Sequence, residues 1–359
     1  MLKREVVEDT VVLLRGFFAA PIISSLGRLG ALDLMRTAPS FTGDDFFNIP
    51  NKKLLGDTLR YFTRLGLTED VDGQGRLYRA SELGIEIFKR ANSFYVPHSY
   101  YEYMYHYHDL IQDPSSKITC EVERLENVIG SGITHLRYFP PAVSFLKRKA
   151  VFDTLVDIGC GDGQFLSTFL KEVPGKKTVG VDLSKLSTQT TEKNLRLQYP
   201  GLELTTVCCD ALDVKKWGQD VLRIAQGGKV AISMWFLLHE ISRNQPKILI
   251  EFFRQIHDIF PAAPIVVGEV VRQSEDILLS NNVRSLLPEY LFFHEMSNQG
   301  ILSWQEYRQV LNNSAYDLVI ERLFDEAPDK EGRTIPSAFV WCLTPSVNRE
   351  PVPRSGDRK

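Results

Sequence analysis

Val156-Asp-Ile-Gly-Cys-Gly-Asp-Gly-Gln-Phe-Leu166 is the stretch that decides the fold of this 359-residue chain. An apolar run over 152–158 leads into it, and a helical pattern over 164–173 follows it. Together these segments predict a buried strand, a glycine turn and the start of a helix, which is the layout of a nucleotide-binding crevice. The glycines of the turn allow positive φ angles and a close approach of the backbone to a ligand. A glycine turn by itself is also compatible with a plain loop.

Carboxylates follow three successive predicted strands. Asp157 lies at the end of the first strand. The run 178–182 is typical of a second strand and ends in Asp182, about twenty residues further on, where a ribose diol would be bound. The run 204–210 is typical of a third strand and ends in Asp210. Because the carboxyl ends of parallel strands meet at one edge of a sheet, the three acids predict a single site for a nucleotide-like ligand.

The pattern D-x-G-x-G-x-G followed by these acids resembles the class I S-adenosylmethionine (SAM) methyltransferases. A dinucleotide oxidoreductase more usually has G-x-G-x-x-G, with an apolar residue in place of Asp157. The resemblance implies that Asp157 and the glycine turn face the methionine part of SAM, that Asp182 binds the ribose, and that Asp210 faces the adenine. The residues that it assigns to SAM are Asp157, Gly159, Gly161, Gly163, Asp182, Leu183, Asp210, Ala211 and Trp235.

Composition excludes several function classes. With 43% hydrophobic and 24% charged residues, the chain is typical of a globular protein long enough for two domains. A net charge of −3 gives no electrostatic reason to expect nucleic acid or an anionic membrane as partner. No apolar run approaches the roughly 20 residues of a membrane span, and the charged N-terminus does not resemble a signal peptide. The 5 cysteines lack metal-finger spacing, so we expect reduced thiols and a cytoplasmic protein.

The N-terminal part has the pattern of helices followed by a hairpin. Val6 to Leu29 is helical in spacing with Pro21 as a predicted break or kink, Lys53 to Leu65 is amphipathic, and 67–80 predicts a small hairpin. This is a winged-helix-like shape, which binds DNA in some proteins and heads many small-molecule methyltransferases in others. The resemblance to the small-molecule methyltransferases implies that this N-terminal part forms a homodimer and contributes part of the substrate wall.

The remainder predicts the fold class and the domain limits. Strands at 229–238 and 264–271 flank a helix at 245–260, and two more strands follow at 316–324 and 337–343. This alternation predicts an α/β, Rossmann-like, doubly wound parallel sheet, with the last two strands antiparallel as in the resembling family. We expect an N-terminal domain over 1–130, a SAM-binding catalytic domain over 131–345 and a disordered tail over 346–359.

His239 lies just after the fourth strand, where small-molecule O-methyltransferases of class I have the general base that removes a hydroxyl proton. The aspartate-tryptophan pair usual after that histidine is replaced by Glu240-Ile241. A second candidate contact is Arg137, which follows Gly132 in a segment that lies beside SAM and substrate in the resembling families. Arg137 would anchor a substrate carboxylate, although a surface or interdomain arginine gives the same pattern.

Another interpretation combines His239 with Glu269 and His294 as a metal site of two histidines and one carboxylate, holding zinc or iron. A carboxylate inside the apolar run 265–271 requires a cationic partner, and SAM, an arginine or a metal could each be that cation. This set, with Gly268-Glu269 and Asn298-Gln299, resembles the metal-dependent α-keto acid C-methyltransferases, such as the 2-ketoarginine and phenylpyruvate enzymes, over roughly 131–343. The resemblance implies methylation of the β-carbon of a small 2-oxo acid in natural-product biosynthesis, through a metal-stabilised enolate. Glu240 is then the expected proton acceptor, with Glu295 or a metal-bound hydroxide as alternatives. The alternative function is that of a small-molecule O-methyltransferase in which His239 is the general base.

Overall fold

Two units of the chain fold around separate cores, Met1–Ile133 and Thr134–Lys359. The computed structural model describes residues 4–113, 122–149, 151–281, 287–297 and 299–346. Outside these residues lie the predicted tail, apart from Ser346, and Asn298, which was part of the resemblance to the α-keto acid C-methyltransferases. The sequence placed the boundary at 130/131, and the two units divide between Ile133 and Thr134.

The N-terminal unit consists of helices and one hairpin. Its helices are α1 (Arg4–Arg28), α2 (Ala31–Thr37), α3 (Lys52–Arg64), α4 (Glu82–Lys89), α5 (Tyr95–Ser99), α6 (Tyr101–Tyr105), α7 (Tyr107–Gln112) and α8 (Arg124–His135), of which α8 ends in the second unit. Strands β1 (Thr68–Asp70) and β2 (Tyr78–Ala80) pair antiparallel. The side chain of Asn51 caps α3 by accepting a hydrogen bond from the Leu54 N–H at 3.1 Å. Helix α3 then buries Leu55, Leu59 and Phe62 in the core.

Helix α1 departs from two expectations. It runs without interruption through Pro21, where the sequence predicted a break or kink. Its segment Thr10–Arg28 is 19 residues long, has a mean hydropathy of 1.6 and is only 17% buried. By length and composition this segment could cross a membrane, whereas the sequence was expected to contain no apolar run of that length. A single helix of this kind is weak evidence for such a span, since core helices and signal sequences share these properties. What the structure shows directly is that most of this apolar segment of α1 is exposed.

The C-terminal unit alternates strands and helices. Its helices are α9 (Phe139–Arg148), α10 (Gln164–Glu172), α11 (Lys185–Gln198), α12 (Val214–Ala225), α13 (Leu238–Ser242), α14 (Pro246–Ile259), α15 (Glu275–Asn281), α16 (Leu287–Met296) and α17 (Trp304–Asn312). Its strands are β3 (Thr154–Ile158), β4 (Lys177–Asp182), β5 (Leu204–Cys208), β6 (Val230–Trp235), β7 (Ile265–Val270), β8 (Tyr316–Phe324), β9 (Ala327–Pro328), β10 (Thr334–Ile335) and β11 (Ala338–Pro345).

Seven of these strands form one sheet in the order β5-β4-β3-β6-β7-β11-β8. The pairs among β3 to β7 are parallel, whereas β11 runs antiparallel to both β7 and β8. The predicted α/β, Rossmann-like class is therefore confirmed. The chain proceeds outward from β3 to β5 and then returns to the other side of β3, so the strand order reverses next to β3. A ligand crevice is expected at the carboxyl end of the strands there.

Both faces of the sheet are covered, which explains the continuous apolar run of β3. Every residue of this strand is buried. Val156 and Ile158 belong to one core cluster, which also contains side chains of α12 and α14. Leu155 packs in a second cluster, which contains side chains of α9 and α10. A strand buried on both sides needs apolar residues at successive positions rather than at alternate ones.

Candidate active site

The glycine turn between β3 and α10 has the predicted backbone conformation. Gly159, Gly161 and Gly163 have φ angles of 73°, 55° and 83°. These values lie in the left-handed region that residues with a side chain rarely adopt. A Cβ atom on Gly159 would also lie 3.2 Å from the Leu237 side chain. The turn is tied to β4, because the Gly159 N–H donates to the Val181 carbonyl at 2.7 Å.

The three predicted acids lie at the carboxyl ends of neighbouring strands: Asp157 near the end of β3, Asp182 as the last residue of β4 and Asp210 two residues after β5. Asp182 joins two of the elements, because its Oδ2 accepts from the Gly161 N–H at 3.0 Å and its Oδ1 from the Ser184 N–H at 2.8 Å. The Asp210 Oδ1 accepts from the Leu212 N–H at 2.8 Å. The structure thus brings the acids to the same edge of the sheet as the glycine turn. Their contacts with SAM stay a prediction.

Asp157 is the most deeply buried of the three acids, with 2% of its surface exposed. Its Oδ1 accepts a hydrogen bond from the Ser233 hydroxyl at 2.7 Å. Burial raises the pKa of the carboxyl group to about 8, and the hydrogen bond from Ser233 opposes this shift only in part. Sequence reasoning missed Ser233, although a hydroxyl inside the apolar strand β6 was a usable signal. A buried carboxyl group of this kind is suited to a cationic ligand.

The remaining predicted SAM contacts differ in exposure. Leu183 is 70% exposed, while Ala211 and Trp235 are buried. The Trp235 ring lies over Gly268, where an added Cβ atom would come within 2.4 Å of the indole. The indole Nε1 is buried without a hydrogen-bond partner among the described residues. An unpaired buried donor costs about 1–3 kcal/mol, so Nε1 is a candidate donor to a bound ligand.

His239 and Glu269 form a buried pair. The His239 Nδ1 lies 2.8 Å from the Glu269 Oε1, and the exposed fractions of the two side chains are 3% and 0%. The carboxylate also accepts from the backbone N–H groups of His239 at 3.2 Å and Val270 at 2.7 Å. A proton on Nδ1, donated to Glu269, leaves the lone pair of the ring on Nε2. This arrangement orients an imidazole for proton abstraction.

His294 of α16 lies beside this pair. Its ring centroid is 4.8 Å from that of His239, with the two planes at 72°. The His294 Nδ1 is 2.6 Å from the carbonyl oxygen of Tyr290, one turn earlier in the same helix. His294 is 2% exposed. The structure therefore brings together all three residues of the predicted metal site.

Their arrangement nevertheless differs from the predicted three-ligand set. Glu269 bonds to Nδ1 of His239, so it lies on the opposite side of that ring from Nε2, and its two oxygens already accept three hydrogen bonds. A metal ion at the Nε2 atoms of the two histidines would not have Glu269 as a ligand. Across the part of the chain that the structure describes, no three His, Cys, Asp or Glu side chains are arranged to hold a metal. The residues do not fit the predicted zinc or iron centre, because the buried carboxylate has the imidazole and backbone N–H groups as partners in place of a cation.

Two other predicted residues have positions that bear on their roles. Arg137 forms an ion pair with Asp325 and is half-exposed, and its guanidinium lies 4.7 Å from the centre of the Tyr138 ring. A substrate carboxylate would have to displace Asp325. Glu240 lies in the first turn of α13, the position where a helix dipole favours an acid. Both functional assignments stay predictions.

Comparison with known proteins supports these observations. Residues 155–257 match the family model described as a methyltransferase domain. An O-methyltransferase family protein from Burkholderia thailandensis has 13% identity, covers 96% of this chain and 99% of its own, and has a TM-score of 0.60. Mitomycin 7-O-methyltransferase has 15% identity, the same two coverages and a TM-score of 0.56. Human N-acetylserotonin methyltransferase in complex with SAM has 14% identity, again 96% and 99% coverage, and a TM-score of 0.55. A comparison with curated protein sequences gives no match.

The solved structures share the fold of the chain at low sequence identity, and the methyltransferase domain match covers the glycine turn, the three acids and His239. The predicted cofactor class agrees with this match. Residues 155–257 therefore carry a methyltransferase domain, and the chain has the Rossmann-like fold of these solved structures, with a helical N-terminal unit preceding that domain.

Proposed function

We propose that the chain transfers the methyl group of SAM to a hydroxyl oxygen of a small molecule, with His239 as the general base. The observation that carries this proposal is the 2.8 Å contact between the His239 Nδ1 and the buried Glu269 carboxylate. Glu269 fixes the tautomer in which Nε2 accepts a proton, and its charge stabilises the imidazolium that forms. This interpretation accounts for a carboxylate inside an apolar strand without any further ligand.

The proposed reaction is a single displacement. The Nε2 atom of His239 accepts the hydroxyl proton as the oxygen attacks the methyl carbon of SAM. The bond between that carbon and sulfur breaks, and its electron pair stays on sulfur, which gives the methyl ether and S-adenosylhomocysteine. Asp157, Asp182 and Asp210 are proposed to hold the cofactor, with Trp235 beside them. The similar structures include mitomycin 7-O-methyltransferase and human N-acetylserotonin methyltransferase, and this similarity favours a small acceptor.

A second candidate is methylation at the β-carbon of a 2-oxo acid. Its specific support is His294, because the proposed base mechanism does not use an imidazole 4.8 Å from His239. The metal-dependent version of this reaction requires a ligand set that the three residues do not form, so no step is assigned to a metal. The acceptor atom and the metal content together distinguish the two functions.

Metal analysis combined with an acceptor panel is the direct test. The protein is incubated with methyl-labelled SAM and phenols, hydroxylated heteroaromatics or 2-oxo acids, before and after dialysis against a chelator. We expect label in an O-methyl group, equal rates before and after dialysis, and zinc and iron well below one equivalent per chain. A C-methylated 2-oxo acid, formed by protein with near-stoichiometric metal and lost on chelation, would establish the second candidate instead.

We further propose that α1 is the core of a homodimer interface. The side chains of Val12, Leu13, Phe17 and Phe18 are 65%, 75%, 73% and 60% exposed, and at 3.6 residues per turn their positions are spread around the helix. A helix that is apolar on all sides is stable in water only when other chains or elements surround it. A second copy of this chain is the proposed occupant, and the protein is expected to be cytoplasmic.

Charge substitutions in α1 test the dimer. Wild-type protein should sediment at about twice the chain mass of 40.9 kDa. The double variant Leu13→Glu/Phe17→Glu should sediment as a monomer, because burying two carboxylates in an apolar interface costs several kcal/mol. Leu54→Glu is the matched control, since Leu54 is also exposed and apolar but lies on α3. A monomeric wild type at tens of micromolar would contradict the proposal.

A further inference from the structure

His135, the last residue of α8, lies next to the strand end that carries His239. Its ring is stacked on the ring of Phe236, with centroids 3.9 Å apart and planes at 18°. Phe236 directly follows β6 and precedes His239 by three residues. The stack therefore fixes a further imidazole near the proposed base, in addition to that of His294.

Phe236 is held in an unusual conformation that makes this stack possible. Its φ angle is +51°, in the left-handed region that bulky side chains rarely adopt because it is strained. The Phe236 N–H donates to the Gly268 carbonyl at 2.8 Å, and the Tyr138 ring meets the phenyl ring edge-on at 5.2 Å. Strained residues that the surroundings hold in place are concentrated at functional sites.

The imidazole of His135 is uncharged and has no hydrogen bond to any of the residues that the structure describes. Burial, and secondarily His239, lower the pKa of His135 to about 3, so the ring keeps one N–H donor and one nitrogen acceptor at neutral pH. Its side chain stacks on Phe236 and interacts electrostatically with His239. The side chain is partly buried, and its ring nitrogens are not among the fully buried unpaired atoms, so they are accessible to a bound ligand.

We propose that His135 is a substrate-binding residue whose imidazole hydrogen-bonds a second polar atom of the acceptor, adjacent to the oxygen that is methylated. The acceptor class is then a compound with two neighbouring polar atoms, such as a catechol or a 2-hydroxycarbonyl compound. His239 takes the proton from one atom while His135 holds the other. This inference rests on the proposed function and specifies its substrate.

The test compares acceptors with one and with two polar atoms. Wild-type protein and His135→Phe are assayed with a catechol and with the corresponding phenol, and the SAM dissociation constant is measured for each protein. Phenylalanine retains the ring stack on Phe236 and removes only the nitrogens. We expect the KM for the catechol to rise at least tenfold, the KM for the phenol to stay within twofold, and SAM binding to be unchanged. His135→Asn, which keeps a donor, should recover part of the preference for the catechol.

An equal loss with both acceptors, or no loss with either, would overturn the role of His135, because a structural defect does not distinguish the two compounds. His135→Leu serves the same comparison if the phenylalanine variant fails to bind SAM. A wild-type protein that binds SAM but methylates no hydroxyl group in the panel overturns the proposed function, and this inference with it. That outcome is seen before any variant is made, so the two failures are distinguishable.

Discussion

Replacing His239 with alanine should lower kcat by about 10² to 10⁴-fold, the range that a positioned general base contributes. The Nε2 atom of this residue is the proposed proton acceptor, and the buried Glu269 carboxylate contacts its Nδ1. SAM binding should be retained, because the glycine turn and the acids of β3 to β5 are separate from this pair. The measurement is single-turnover methyl transfer with saturating SAM, together with the dissociation constant for SAM.

Two further variants show whether His239 acts as a base. Glu269→Gln preserves the size of the side chain but removes the charge that stabilises the imidazolium, so kcat should fall by about 10²-fold or more. His294→Ala removes a neighbour that the base mechanism does not use, and a loss of less than about tenfold is expected from packing alone. His106→Ala, at a half-exposed histidine of the N-terminal unit, is the control and should match wild type. Equal, complete losses in His239→Ala and His294→Ala, with loss of a bound metal, would contradict the base mechanism.

The fold could be read from the sequence because it depends on patterns that are local in the chain. The apolar run at 152–158 predicted a buried strand, and β3 occupies Thr154–Ile158. The alternation of such runs with helical patterns predicted the parallel sheet. Helix α1 was less predictable: Pro21 does not interrupt it, and the extent of its apolar segment is visible only when the helix is treated as one element.

The candidate site was predictable in position but not in contacts. The sequence predicted that His239, Glu269 and His294 lie together at one edge of the sheet, and the structure brings the three side chains together. It could not establish what Glu269 binds, because that depends on the pairing of β6 with β7 and on the turn after β6, which direct the carboxylate to Nδ1 of His239. For His135, the resemblance placed only its segment beside SAM and substrate, and its stack could not be predicted because it depends on the positive φ angle of Phe236.

Replacing Asp157 with asparagine should have opposite effects on SAM binding and on the stability of the ligand-free protein. Because burial raises the pKa of Asp157 from 3.8 to about 8, the native carboxyl group is mostly protonated at pH 7. The stabilisation that goes with this raised pKa is complete below about pH 4 and is lost as the pH rises through 8. Asparagine cannot ionise and can still accept the hydrogen bond from Ser233. The ligand-free variant should therefore match wild type near pH 4, be more stable at pH 6, and exceed wild type most at pH 9, where its melting temperature should be higher by a few degrees or more.

Binding of SAM should show the reverse preference, because the cationic cofactor favours the ionised carboxylate. We expect the affinity of the Asp157→Asn variant for SAM to fall by about 10 to 100-fold, the effect of losing one buried charge-assisted interaction of roughly 1.5–3 kcal/mol. Titration calorimetry at pH 7 in two buffers of different ionisation enthalpy should detect proton release from wild type on SAM binding, and this component should be absent from the variant. Asp213→Asn, at an exposed acid of the same unit, is the control for loss of charge. An unchanged SAM affinity in Asp157→Asn, with the same proton release as wild type, would show that Asp157 does not bind the cofactor and that its burial serves the sheet alone.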